Sequence, residues 1–197
     1  GPPYYSKSNV VMVLEQVGVL LELKSANPFR VRSYQNASRT LGGLEDDLWT
    51  VTSEGKLTDV KGIGKGIAGL ITEALTEGTW GDIGQLYTSV PAGLIAMLAI
   101  PGLGPKRIKQ FHDELGIENI EQLRVAGESG HLRELDRMGE KSEQKVLDGI
   151  ELLKRFSGRR RLDIGLLYGE ALEGRIASME GVSRAQLAGS TRRRKET

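Results

Sequence analysis

The 197-residue chain contains no cysteine. That excludes disulfides, thiolate metal sites and a thiol nucleophile together. Histidine is almost as scarce: only His112 and His131 are present, too few for a histidine-built zinc site. Aromatic residues make up 5% of the chain, which argues against a single-strand binder that stacks bases on rings. No apolar run approaches the roughly 20 residues of a membrane-spanning helix, and no signal peptide is visible. The simplest expectation is therefore a cytoplasmic protein with no membrane partner. Excess charge is missing too. The 27 lysines and arginines face 26 acidic residues, a net of +1, so any phosphate contacts must be local rather than the work of bulk charge.

What is present is a helical pattern with ordinary apolar content, 39%, enough for a packed core. Residues 8–24 carry a dense apolar face of Val10, Val13, Leu14, Val17, Leu20 and Leu21. Asn27-Pro28 is a helix start, Asn as cap and Pro at the first helical position, and the next helix carries Phe29, Val31, Tyr34, Ala37 and Leu41. Short helices are expected over 44–53, 66–76, 83–87, 105–115, 117–126, 130–135 and 142–156. Beyond residue 158 the pattern changes. Segment 162–167 reads as extended, 168–179 as a helix and 182–188 as a strand, the opening of an α/β domain that is not completed. Three domains are expected: 1–81, 82–158 and 159–197. Gly1 and Pro2 in place of an initiator methionine, and the uncapped basic end from Arg192 to Thr197, suggest a cut piece of a longer protein.

Two copies of one glycine signature stand out. The first is Gly62-Ile63-Gly64-Lys65-Gly66; the second, 40 residues on, is Gly102-Leu103-Gly104-Pro105-Lys106-Arg107. Each places an apolar residue between two glycines and runs into an amphipathic helix, making a helix-hairpin-helix unit. Glycine suits a turn that needs positive φ and admits no side chain beside a ligand. The amides of the turn and of the following helix then form an anion site made of main chain. Two such grips at fixed spacing fit a repeating polyanion, nucleic acid above all, held without base readout. The bland alternative is a pair of tight turns with no ligand. Gly64-Lys65-Gly66-Ile67-Ala68-Gly69 also satisfies the dinucleotide pattern G-x-G-x-x-G, but the buried parallel strands that pattern requires are missing from the sequence. Arg137-Met138-Gly139 is a degraded third copy, better read as a plain helix-helix turn.

With the segment from Asn27 to Tyr34 and the later Gly189-Ser190-Thr191-Arg192-Arg193, the paired hairpins resemble a family X DNA polymerase of bacterial or archaeal type. The resemblance runs from about Val10 to Thr197. It implies a mainly α chain: a helical lyase-like domain with the first hairpin, helical fingers with the second, and the first helix and strand of a truncated nucleotidyltransferase palm. By resemblance, Gly62, Gly64, Lys65 and Gly66 hold the downstream strand of gapped DNA, and Gly102, Gly104, Lys106 and Arg107 hold the primer strand. Carbonyls of Thr58, Val60 and Ile63, and of Leu98, Ile100 and Leu103, match those that hold Na+ or K+ in the family. Arg30 and Tyr34 match contacts to a 5′-phosphate, while Ser190 and Arg193 match residues that hold the triphosphate of an incoming deoxynucleotide.

Two departures limit what the resemblance implies. The family's Schiff-base lysine falls on Leu70, and two neighbouring family lysines fall on Gly66 and Asp82, so little or no deoxyribose phosphate lyase activity is expected. The aspartates that hold Mg2+ in the family follow the Gly-Ser motif and do not occur before Thr197, so no catalytic residue is assigned and nucleotidyl transfer is expected only of a longer parent. The expected role is monomeric, sequence-independent binding of gapped or nicked duplex in repair gap filling. The alternative is a non-enzymatic helix-hairpin-helix adaptor.

Overall fold

The computed structural model describes residues 1–156, and the expected palm segment, with Ser190 and Arg193, lies outside them. Among the described residues there are nine α-helices, two short 3-10 turns and no strand. They divide into two compact units, one of Gly1–Leu21 with Asn27–Tyr87, the other of Glu22–Ala26 with the residues from Thr88 onward.

The first unit is built on α1 (Lys7–Leu23), α2 (Pro28–Gly42), α3 (Leu48–Ser53) and α4 (Lys65–Glu77). The apolar face expected of α1 is its core: Val10, Val13, Leu14, Val17, Leu20 and Leu21 are all buried. Burying each such side chain contributes about 1.5–3 kcal/mol, so packing rather than propensity holds this helix. At Gly18 the approach is close, since an added Cβ would lie 3.3 Å from Cγ of Gln35 on α2. Ser38 of α2 donates its hydroxyl to the carbonyl of Val11 at 2.9 Å, satisfying one of the few buried polar groups. The start of α2 is as read: Asn27 accepts the Phe29 amide at 2.8 Å and Pro28 follows. Phe29 departs from expectation. It is 73% exposed, because Val31, Ala37 and Leu41 fill the buried side of α2. Arg32 lies over its ring, 4.9 Å from the centroid.

α5 (Ile83–Ser89) follows, and the second unit contains α6 (Ala92–Met97), α7 (Pro105–Leu115), α8 (Ile120–Glu128) and α9 (Glu140–Arg155). Leu94, Met97, Ile100, Ile108, Phe111, Leu123, Leu132 and Ile150 form its core. α7 has the expected bounds, whereas α8 starts three residues later than expected at 117. Asn119 caps it by accepting the Gln122 amide at 2.8 Å, leaving Ile117 buried in the connection. α9 sits against the turn before α7: a Cβ on Gly149 would lie 2.8 Å from Cγ2 of Ile100 and 2.9 Å from the Pro101 carbonyl oxygen.

Candidate nucleic-acid interface

The two glycine signatures fold into turns of the same geometry, each within its own unit. In the first, the Ile63 amide donates to the Val60 carbonyl at 3.1 Å, and Ala68 donates to Gly64 at 2.9 Å as the opening bond of α4. In the second, Leu103 donates to Ile100 at 3.1 Å, and Ile108 to Gly104 at 3.1 Å. The two glycines of each turn have different tasks. Gly62 (φ 95°) and Gly102 (φ 80°) take the left-handed conformation that a side chain makes costly. Gly64 (φ −83°) and Gly104 (φ −103°) are extended, so no backbone strain requires glycine there. An added Cβ at either would meet nothing within 4 Å. The backbone does not require glycine at the second position, and its absent side chain leaves that surface open.

That surface is the uncapped start of a helix. The first amides of any α-helix lack an intrahelical acceptor, and most are satisfied by a capping side chain. Asn27, Asp47 and Asn119 do this for α2, α3 and α8. α4 and α7 begin instead at glycine with no side-chain cap, and neither carries an acidic residue in its first turn. The amides of Gly64, Lys65, Gly66 and Ile67 at α4, and of Gly104, Lys106 and Arg107 at α7, thus face outward at the positive end of a helix dipole. Lys65 and Lys106 are exposed at the same ends, and Arg107 is half-buried. Arg107 is held in place by Gln110 Oε1 at 2.8 Å and by the carbonyl of Asp136 at 3.3 Å. Both acceptors are uncharged, so its own charge stays uncompensated by them.

The remaining site residues are distributed as follows. Arg30 is exposed and Tyr34 half-buried, one helical turn apart on α2. Among the carbonyls matched to a monovalent cation, those of Val60 and Ile100 already accept the turn amides of Ile63 and Leu103. A carbonyl has a second lone pair, and such oxygens suit a hard cation. Leu70 sits half-buried on α4, its Cδ1 3.4 Å from where a Cβ on Gly81 would be.

The degraded third signature is more than a plain helix-helix turn. Met138 donates to Leu135 at 3.0 Å and Glu143 to Gly139 at 2.9 Å, the bonding of the other two hairpins. Arg137 takes φ 61° in the place of Gly62 and Gly102, and α9 begins at an uncapped glycine, Gly139. The sequence showed only a degraded copy because an arginine occupies the position that glycine marks elsewhere. Electrostatically this hairpin differs, since Glu140 and Glu143 lie in the first turn of α9. Glu143 is buried and accepts the Arg133 amide at 2.9 Å and its guanidinium at 2.7 and 2.9 Å. Burial opposes ionisation of this carboxyl, but the hydrogen bonds and charge of Arg133 outweigh it and hold its pKa below the ordinary 4.5.

Comparison with known proteins agrees with this architecture. Residues 6–80 match a helix-hairpin-helix domain family, and residues 94–151 match a SAM-like helix-hairpin-helix tandem, which takes in the second and third hairpins. Over 191 residues, 97% of the chain, the sequence is 31% identical to the DNA polymerase/3'-5' exonuclease PolX of Bacillus subtilis (strain 168). The chain spans 33% of that protein's length. Taken together, the two helix-hairpin-helix regions and the identity along almost the whole chain support its assignment as an N-terminal part of a family X DNA polymerase.

Proposed function

We propose that this chain binds DNA through its sugar-phosphate backbone, as the holding part of a gap-filling polymerase. One observation carries the reading: two turns of matching geometry each present an uncapped helix start beside a lysine, with the clearing glycine open to an approaching phosphate. Main-chain amides and lysines position a phosphate without discriminating bases, so binding is independent of sequence. Na+ or K+ held by the carbonyls of Thr58, Val60 and Ile63, and of Leu98, Ile100 and Leu103, would add a positive charge beside that phosphate. Arg30 and Tyr34 supply the contact to a 5′-phosphate, which makes gapped and nicked duplexes the preferred ligands. Nucleotidyl transfer with Mg2+ and a deoxynucleoside triphosphate belongs to the longer polymerase and depends on aspartates outside this chain.

Fluorescence anisotropy with gapped, nicked, single-stranded and intact duplex DNA tests the reading. Gapped and nicked DNA should bind tightest, with affinity falling steeply as salt rises. Equal affinity for all four would refute the gap preference, and no salt-dependent binding would refute the grip itself.

A further inference from the structure

The third hairpin supplies a residue that no assignment above uses. Arg137 is exposed and lines a shallow groove with Gly104, Pro105, Lys106, Arg107 and Gln110, at the start of α7. Three cationic side chains therefore face one groove. Neither Lys106 nor Arg137 has an ion-pair partner among the described residues. Among the described residues, Arg107 bonds the uncharged side-chain oxygen of Gln110 and the main-chain carbonyl of Asp136. Glu22, grouped with the same unit, brings a single carboxylate to the lining.

The placement of Arg137 is enforced. The carbonyl of Asp136, the residue before it, accepts from both Arg107 and Gln110 Nε2, at 3.3 and 3.2 Å, so the third hairpin is fastened to the open end of α7. Its backbone conformation, φ 61°, is one in which glycine would be more stable than arginine. A residue unfavourable for the turn thus occupies the position facing the phosphate-binding helix, carrying a charge suited to phosphate. We propose that Arg137 is a further DNA contact, gripping the backbone of the strand held at α7 at a phosphate adjacent to the one bound by the helix start. The third hairpin contributes this side chain rather than an anion site of its own, since its helix start is acidic. This inference rests on the DNA-binding reading above.

Arg137→Gly is the informative variant, because it restores the residue of the sister hairpins and removes only the side chain. Its thermal midpoint should equal or exceed that of the parent. Its affinity for gapped duplex should fall, and the log–log dependence of affinity on salt should flatten by about 0.9, the share of one phosphate contact. Between 50 and 200 mM salt that difference amounts to roughly 3.5-fold, with the larger loss at low salt. Arg137→Lys should keep the parent slope. A folded Arg137→Gly protein with unchanged affinity and slope overturns the role of Arg137 while leaving the two-hairpin grip standing. If the parent protein fails to bind DNA, both readings fall.

Discussion

Gly149 offers a direct test of how the second hairpin is supported. Replacing a helix-interior glycine by alanine usually stabilises a protein by about 0.5–1 kcal/mol, through chain entropy and helix propensity. On α9 the new methyl would lie 2.8 Å from Cγ2 of Ile100 and 2.9 Å from the Pro101 carbonyl oxygen. The second neighbour is backbone and cannot rotate away, so helix and turn must separate. Overpacking of this kind costs about 1–3 kcal/mol. The opposing effects leave Gly149→Ala destabilised by about 1 kcal/mol. Gly69 on α4 is the control: it is exposed, and an added Cβ would meet nothing within 4 Å. Gly69→Ala should gain about 0.8 kcal/mol from propensity alone. For a chain of this length the two variants should move Tm by about 2–4 °C in opposite directions. Urea melts followed by circular dichroism should show shifted midpoints with unchanged slopes. Because Pro101 precedes Gly102, Gly149→Ala should also weaken DNA binding. If both variants were equally stabilised, α9 would not be seated on the second hairpin as described.

Other outcomes follow from the same geometry. Gly102→Ala should destabilise the protein by about 1–2 kcal/mol in a denaturant melt, because a side chain is forced to positive φ. Gly104→Ala should cost at most about 1 kcal/mol of stability, since alanine is a poorer helix N-cap than glycine, yet clearly lower DNA affinity, because its methyl would occupy the face an approaching phosphate needs. Glu143 has a depressed folded-state pKa, so its contribution to stability is present above about pH 4.5 and is lost as pH falls through the folded value. Glu143→Gln should therefore lower Tm at neutral pH and narrow its gap to the parent on acidification, as read by thermal melts across pH 3–7. Borohydride treatment on a gapped abasic duplex should give no efficient crosslink if, as the resemblance implies, Leu70 falls where the family carries its lysine; strong trapping would overturn that expectation and direct attention to Lys61 and Lys65.

Features carried by periodicity and capping chemistry were legible in the sequence. The buried face of α1, the Asn27-Pro28 start of α2 and the bounds of α7 follow from side-chain pattern and local hydrogen bonding alone. Features decided by tertiary context were not. Phe29 counts as apolar in any pattern, yet the packed side of α2 is taken by Val31, Ala37, Ser38 and Leu41 and Phe29 lies outside it. The site was legible as a pair of hairpins, but the separate tasks of their glycines were not, because one letter covers both a strained φ and a cleared surface. The third copy was visible in the sequence only as a degraded one, read as a plain turn, for a related reason. Its backbone fixes the conformation through Leu135, Met138 and Gly139, and the turn admits arginine at an energetic cost that a glycine pattern does not anticipate.

The division between capped and uncapped helix starts links ligand binding to folding. An oligonucleotide phosphate at α4 or α7 would act as the missing cap, satisfying donors that the chain leaves to solvent. Any ligand that binds only the folded state raises its stability, by about 2.7 kcal/mol at one hundred times Kd. Melting temperature thus becomes a reporter of occupancy at these ends. Short oligonucleotides, and inorganic phosphate more weakly, should raise it in the parent. In variants that obstruct Gly64 and Gly104 together, that thermal response should be reduced even where the unliganded protein melts normally.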